Sequence, residues 1–382
     1  MSPQMSARSP LPIIAWYAAA VGAIAMVPYL AVVLEGAGVS DSGIIGVLLL
    51  LPVCRILGGP MWAALADRSG SPGLVLRCLA VGSAMAGLWL ATASTVAGLA
   101  LGIAAFSLTR AGQFPIVDAL TIRALPDGAR GYSRVRVWGS VAFLVAVLPV
   151  GYLRETWPKA PLVVGCAFLV ASAVLAFGLP EPPALDKRPS FASLRRVLAQ
   201  PQLRLLFAVA FVHGVTITTY DNFFPLHVQR LHLHSGVSGL AICLGVIAEV
   251  AVMAVGPALL ARFGAYNLVL VGVASGLPRW LVTGLFDDPM PLIVIQLLHG
   301  LGFGAFWIAA IDIIARHSPA ELLASAQSLL PAAGFGAGYL GAMASAALLL
   351  SSVGTAGMFL AMVGVSAVAL VGALRLKQMD AT

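Results

Sequence analysis

Ionisable side chains inside apolar segments are the residues of this sequence best suited to chemistry. Six lie near the centre of an apolar segment: Arg55, Arg110, Asp118, Glu249, Arg279 and His299. Three more lie nearer the ends of such segments: Asp312, Asp221 and Arg136. An ionised group at the centre of a bilayer costs at least about 2.5–3.5 kcal/mol, so each needs a partner or a water-filled cavity. We therefore expect these residues to mark a polar path through an apolar protein.

Asp118 and Arg136 lie symmetrically about Asp127-Gly128, a dipeptide that is typical of turns. In an antiparallel pair of helices, residues at equal distances from the turn lie at the same depth. A carboxylate and a guanidinium in this arrangement can jointly bind a polar substrate, or they can form a structural ion pair that fixes the two helices. Arg110, two turns before Asp118, is expected to act as its local counter-ion.

Glu249, Arg279 and His299 form a second group. Arg279 and His299 each lie ten residues from Pro289, and at about 1.5 Å per residue both are well inside the membrane. Glu249 lies near the centre of its own apolar segment. The proton affinity of a buried carboxylate changes when a guanidinium moves toward it or away, so this cluster can load and release a proton. The alternative is a static polar plug.

The elements that carry these residues are predicted to be membrane-spanning helices. The chain has 382 residues, of which 60% are hydrophobic and 10% charged, against roughly 25% charged residues in soluble proteins. Its mean hydropathy is +0.98. Apolar runs of helix-spanning length, from Leu11–Leu34 to Val353–Leu374, predict about twelve transmembrane helices. We therefore expect an all-α membrane protein rather than a soluble enzyme.

A polar stretch from Pro180 to Arg204 divides the chain into two halves. The expected domains are an N-terminal six-helix bundle, a cytoplasmic linker and a C-terminal six-helix bundle, over residues 1–180, 181–203 and 204–382. Gly59-Pro60 in the first half is echoed by Gly256-Pro257 at the corresponding place in the second. Parallel repeats of this kind are typical of transporters that hold substrate near the membrane midplane between their halves.

The basic residues indicate membrane topology rather than nucleic-acid binding. The net charge is +7, but the 22 Lys and Arg form no basic face and concentrate in alternate joints between apolar runs. This asymmetry predicts a multi-pass protein of the plasma (inner) membrane with both termini in the cytoplasm. The cysteines, which include no CxxC pair, predict no metal, cofactor or redox site. We expect a monomer whose partners are a small-molecule substrate, protons and the lipid bilayer.

Residues Ala63–Gly70, with the sequence AALADRSG, resemble the cytoplasmic loop signature of the major facilitator superfamily, G-x-L-A-D-R-x-G-R. The resemblance implies a gating motif formed by Asp67, Arg68 and Gly70. It also implies the fold of that superfamily, with two pseudo-symmetric six-helix bundles. Ala63 replaces the first glycine of the pattern and Ser71 replaces its final arginine.

Residues Pro115–Asp118 and Ser133–Gly139 resemble the sugar-binding hairpin of the lactose permease and of the phenylpropionate-permease-like branch. The resemblance implies that Asp118 and Arg136 hold the substrate and that Phe143, seven residues after Arg136, stacks on it. The lactose permease has tryptophan at the place of Phe143, which argues against a galactoside as substrate.

Glu249, Arg279 and His299 fall where this branch keeps its coupling residues, and Gln296–Gly304 is similar to the phenylpropionate-permease-like branch. The resemblance implies that Glu249 carries the proton and that Arg279 and His299 tune it. The lactose permease has a proton-carrying glutamate one turn after the histidine, where this chain has Gly302. Coupling is therefore expected to rest on Glu249 or Asp312.

Together these features predict a secondary active transporter that imports a small aromatic acid, sugar or nucleoside by alternating access, in symport with protons. Arg55 is a further predicted substrate contact, because a central arginine can bind an anionic solute, although it can equally pair with a carboxylate elsewhere. Two alternatives stay open: a proton antiporter that exports drugs or metabolites, and a membrane sensor of the same fold. No nucleophile with a paired base, HExxH pair or phosphate-binding loop indicates an enzyme.

Overall fold

The computed structural model of the protein describes residues 10–124, 129–179, 191–318 and 322–380. Within these ranges all regular structure is helical. The chain forms two compact units, residues 1–187 and residues 188–382, which we call unit 1 and unit 2. The predicted domain division stays a prediction, although residues 191–198 of the predicted linker form a helix.

The helices of unit 1 are α1 Leu11–Gly22, α2 Leu30–Gly36, α3 Asp41–Leu48, α4 Leu50–Ser69, α5 Pro72–Thr92, α6 Val96–Arg110, α7 Gln113–Ala124, α8 Ala129–Thr156 and α9 Ala160–Ala176. Those of unit 2 are α10 Phe191–Leu198, α11 Pro201–Arg230, α12 Gly236–Ala254, α13 Gly256–Phe263, α14 Ala265–Ala274, α15 Gly276–Leu285, α16 Pro289–Val294, α17 Phe306–His317, α18 Leu323–Pro331 and α19 Gly338–Asp380. Short 3-10 or π-helical turns join several of them into longer runs, because a proline or a glycine-rich stretch interrupts the regular helix.

In the described part of the chain, ten runs are long and apolar enough to cross a membrane, and α9 is a shorter apolar helix. The run Ala326–Asp380 has 55 residues, or roughly 82 Å at 1.5 Å per residue, against about 30 Å for the hydrocarbon core. Gly354 interrupts it with φ 68° and ψ −174°. Adding α9 and dividing the last run at Gly354 gives six crossings in each unit. The predicted all-α membrane fold with about twelve transmembrane helices is confirmed.

The packing of unit 1 brings α8 against α1. Trp16 and Tyr17 of α1 are fully buried in its apolar core. Gly139 of α8 lies so close to α1 that a Cβ atom there would be 2.8 Å from the side chain of Val21. This close contact holds the segment of α8 that begins at Arg136 beside Tyr17.

The packing of unit 2 brings the residues after His299 against α12. A Cβ atom on Gly300 would lie 2.6 Å from the carbonyl oxygen of Ala248, and one on Gly304 would lie 3.2 Å from the carbonyl oxygen of Glu249. Residues Gly300–Ala305 form a π-helical turn. The glycines therefore serve close helix packing and also lie in a backbone irregularity of a kind that is frequent at functional sites.

Candidate functional site

The carboxylate of Asp118 is bound by a tyrosine of α1. The hydroxyl of Tyr17 donates a hydrogen bond to Oδ1 of Asp118, and the hydroxyl of Thr121 donates one to the Tyr17 oxygen at 3.4 Å. Tyr17 is fully buried, whereas Asp118 is half-buried. The carboxylate is thus bound by Tyr17 and is partly exposed.

Arg136 meets the same tyrosine. Its guanidinium carbon lies 6.0 Å from the ring centroid of Tyr17 and 5.7 Å from that of Phe114, distances at which a cation is attracted by the ring face. The structure therefore brings Asp118 and Arg136 to one aromatic residue, Tyr17, which the sequence argument did not include. Phe143 is half-buried two turns further along α8.

Arg110 has neutral partners in place of the predicted carboxylate. Its Nη2 donates to the carbonyl oxygen of Ala20 at 2.7 Å and its Nη1 to Oε1 of Gln113 at 3.3 Å. The guanidinium also lies 4.8 Å from the ring centroid of Phe114, so that ring contacts two arginines. The expected local counter-ion role of Arg110 toward Asp118 is wrong, because backbone and amide oxygens satisfy the guanidinium.

Arg55 adds a further positive charge to this region of unit 1. Its side chain is exposed on α4, and it is near enough to the buried Arg110 for the two charges to repel each other. The cluster of Arg55, Arg110, Arg136 and Asp118 therefore contains three guanidinium groups and one carboxylate. We call this group the arginine cluster.

The predicted gating motif lies at the end of α4. Gly70 follows the helix with φ 62°, the left-handed conformation that glycine adopts most easily. Arg68 is exposed in the last turn. Asp67 belongs to α4, and its side chain lies outside the described part of the structure.

Glu249, His299 and Arg279 are brought together in unit 2. Oε2 of Glu249 lies 3.4 Å from Nε2 of His299, and Nη1 of Arg279 lies 3.0 Å from Nδ1 of the same ring. A guanidinium nitrogen can only donate, so Nδ1 must accept and the imidazole proton must lie on Nε2, facing the carboxylate. The histidine is therefore a neutral bridge between a fixed cation and an acid.

Arg279 is held rigidly. It is 1% exposed, its Nε donates to Oε1 of Gln296 at 2.8 Å, and its guanidinium carbon lies 4.3 Å from the ring centroid of Tyr220 and 4.5 Å from that of Trp280. The amide of Gln296 is fixed in turn by the carbonyl oxygen of Leu292 at 3.1 Å. These contacts keep the positive charge in one place.

Asp221 also belongs to this group, although in the sequence it lies nearer the end of an apolar segment. It follows Tyr220 on α11 and interacts electrostatically with both Arg279 and Glu249. Asp312, the alternative proton carrier, instead forms a salt bridge with Arg316 at 2.6 Å, in which both side chains are partly exposed. The structure thus places Glu249, and not Asp312, beside His299, with Asp221 as the second carboxylate near Arg279.

Aromatic rings extend from His299 along the same run of helix. The His299 and Phe303 ring centroids are 5.6 Å apart and those of Phe303 and Trp307 are 5.7 Å apart, both pairs stacked. Phe335 lies 5.6 Å and 5.5 Å from the last two rings. We call Phe303, Trp307 and Phe335, all half-buried, the aromatic wall. The four-residue spacing from His299 to Trp307 was the sequence signal for it.

The chain is similar in sequence and in fold to known membrane transporters. Residues 15–361 match the MFS_1 like family. The chain is 28% identical over 323 residues to a maltose permease from Geobacillus stearothermophilus. The aligned region covers 82% of this chain and 80% of the permease. It is also 28% identical over 305 residues to a probable 3-phenylpropionic acid transporter from Escherichia coli (strain K12). That alignment covers 78% of this chain and 79% of the transporter. The crystal structure of the nucleoside transporter NupG has the same fold, with a TM-score of 0.81 at 15% identity, over 96% of this chain and 98% of that one.

The apolar helices and the match to the family and to its relatives identify a polytopic membrane transporter rather than an enzyme. The chain belongs to the MFS_1 like family of the major facilitator superfamily.

Proposed function

We propose that the protein imports a small aromatic acid together with protons across the inner membrane, by alternating access and with both termini in the cytoplasm. The observation that carries this proposal is the unbroken series of contacts from Glu249 through His299 to Arg279. It combines an acid, a neutral base and a fixed cation on three different stretches of helix. A buried set of this kind has a large cost in lipid unless it performs a task.

Glu249 is proposed as the proton carrier. Its side chain is 19% exposed, whereas that of His299 is 9% exposed, so the carboxylate is the more accessible of the two. A second proton on the imidazole would lie on Nδ1, so that two N–H donors, one from His299 and one from Arg279, would face each other. Electrostatic repulsion between the two cations opposes this. We therefore assign the transported proton to the carboxylate of Glu249 rather than to the imidazole of His299.

An anionic solute is favoured by the charges of unit 1. The guanidinium groups of Arg110 and Arg136 both lie against the ring of Phe114, which brings two positive charges close together. A solute carboxylate would be attracted by these charges, whereas an uncharged sugar or nucleoside would not. The aromatic rings of Phe114 and Phe143 in unit 1 suit a solute with a planar ring. The name of one relative, a probable 3-phenylpropionic acid transporter, agrees with this class.

The remaining roles follow from this mechanism. Asp118, Arg136, Phe143 and Arg55 are proposed to bind the solute. The motif of Asp67, Arg68 and Gly70 is proposed to act at a cytoplasmic gate, and the protein is proposed to work as a monomer.

The test is solute transport by the purified protein in proteoliposomes. We expect an inward proton gradient to drive accumulation of 3-phenylpropionate, and much less of maltose or uridine. The variant Glu249→Gln cannot release or bind a proton there, so it should lose gradient-driven accumulation. It should retain exchange of solute at equal concentrations, which needs no net proton movement.

The matched control is Asp312→Asn, a carboxylate in unit 2 outside the cluster, which should accumulate solute like the unmodified protein. Accumulation by Glu249→Gln at the unmodified level would overturn the assignment of the proton carrier. A gradient that drives solute outward would indicate the exporter, and ligand binding without any flux would indicate the sensor.

A further inference from the structure

A cavity of about 720 Å³ lies in unit 2, where α11 begins and α19 ends. Its lining alternates between charged and apolar groups. From α11 it includes Arg204, Leu205 and Ala208, and from α19 it includes Arg375, Gln378 and Met379. No residue of the candidate transport site lines this cavity. It is therefore a separate feature of the unit.

The floor of the cavity is closed by helix packing. A Cβ atom on Gly372 would lie 2.8 Å from the side chain of Val209, so α19 and α11 are in close contact about one turn further in. Leu206, Ala373 and Leu376 are buried in the same apolar core. The cavity therefore lies beyond this close contact, between the beginning of α11 and the end of α19.

The charge at the mouth of this cavity is positive. Arg204 and Arg375 are both exposed, and within the described residues neither forms a salt bridge. The carboxylate of α19 nearest to the cavity, Asp380, interacts electrostatically with Tyr266 on α14. The two guanidinium groups therefore give the mouth of the cavity its positive charge.

We propose that this cavity binds one anionic phospholipid, with the phosphodiester held by Arg204 and Arg375 and an acyl chain against Leu205, Ala208 and Met379. Guanidinium groups bind phosphate oxygens in a fixed two-donor geometry, and basic pockets between transmembrane helices are typical sites for anionic lipid headgroups. Free phosphate would use the arginines but would leave the apolar lining uncovered. The combination of a cationic mouth and an apolar wall at the helix ends therefore favours a lipid.

The experiment measures lipid binding to the purified full-length protein by native mass spectrometry and by the shift in unfolding temperature in nonionic detergent. The probes are phosphatidylglycerol, phosphatidylcholine and inorganic phosphate at equal concentration. We expect phosphatidylglycerol alone to bind and to raise the unfolding temperature. The double variant Arg204→Gln with Arg375→Gln should bind phosphatidylglycerol roughly 30-fold more weakly, because it loses the attraction of one surface cation for the lipid at each of the two positions.

The control variant is Lys377→Gln, an exposed cation on α19 that does not line the cavity, and it should bind phosphatidylglycerol like the unmodified protein. The double lysine variant, which keeps both charges, should regain part of the affinity and shows that the site folds. Equal binding of phosphatidylglycerol by the glutamine variant and the unmodified protein would overturn the proposal. So would an equal shift with phosphatidylcholine or with inorganic phosphate alone.

Discussion

Substituting Gly300 by alanine tests how closely the proton site depends on helix packing. The added Cβ atom would lie 2.6 Å from the carbonyl oxygen of Ala248, where nothing but backbone can yield. Ordinary contact begins near 3.4 Å, so the residues after His299 and α12 must separate by about 0.8 Å. Applied to the 3.4 Å between His299 and Glu249, this separation gives about 4.2 Å, which is beyond hydrogen-bond distance.

The expected magnitude combines two opposing terms. Overpacking of a closely packed interface costs about 1–3 kcal/mol, and the better helix propensity of alanine returns up to about 1 kcal/mol. We therefore expect Gly300→Ala to lower the free energy of unfolding by about 1–2 kcal/mol. Because the substitution also separates the acid from its neighbouring base, gradient-driven accumulation should fall more strongly than solute exchange.

The assay compares both kinds of transport in proteoliposomes and follows thermal unfolding in detergent. Gly364→Ala is the matched control, because Gly364 lies in α19 with no atom within 4 Å of the added Cβ. That variant should be as active as the unmodified protein and at least as stable, by up to about 1 kcal/mol from the helix propensity of alanine. If Gly300→Ala unfolds at the unmodified temperature and accumulates solute normally, close packing at Gly300 does not position His299, and this reasoning fails.

Two further substitutions test the contacts around the charged residues. Tyr17→Phe keeps the ring beside Arg136 but removes the hydrogen bond to Asp118. Because a hydrogen bond to a charged group contributes about 1.5–3 kcal/mol, the KM of uptake should rise roughly 10-fold or more. An unchanged KM would contradict a role of Asp118 in solute binding. Asp221→Asn removes one of the carboxylates near Arg279. Asp221 is half-buried and forms no salt bridge with Arg279 in the described part of the chain, so its removal should cost less than the about 3–5 kcal/mol of a broken buried ion pair. The unfolding temperature should still fall below that of Asp312→Asn, whose partly exposed i,i+4 pair is worth only about 0.3–0.5 kcal/mol. Equal unfolding temperatures for these two variants would show that Asp221 does not stabilise Arg279.

The fold could be predicted from the sequence because apolar length alone decides which segments cross a bilayer. The last two predicted spans are divided near Gly354, and the backbone leaves the helical conformation at that residue. The ends of helices were harder to predict, because polar residues continue a helix beyond the apolar core. α11 runs Pro201–Arg230, several residues beyond the apolar stretch at each end, which is why Asp221 lies further inside its helix than its sequence surroundings indicated.

The site was predictable only where local geometry determines it. Equal distances from Asp127-Gly128, which lies outside the described residues, predicted that Asp118 and Arg136 lie at one depth, and each of them contacts Tyr17. Tyr17 is 101 residues away from Asp118, and its contact depends on how α1 packs against the later helices. No periodicity within one segment contains that information, so the partners of Asp118 and Arg110 had to come from the tertiary structure.

The two π-helical turns show a further limit of sequence patterns and explain the arrangement of the aromatic wall. Phe303 lies in the turn Gly300–Ala305, Phe335 lies in the turn Ala332–Ala337, and their rings are in contact. Each turn is rich in glycine and alanine, so little side-chain bulk opposes the wider backbone, and a pattern based on 3.6 residues per turn does not predict that the backbone widens there. The first of these turns begins directly after His299. A change in the winding of this turn would therefore move the imidazole of His299 relative to Glu249, and it would move the ring of Phe303 at the same time. The turn thus provides a physical link between the proton site and the aromatic wall within unit 2.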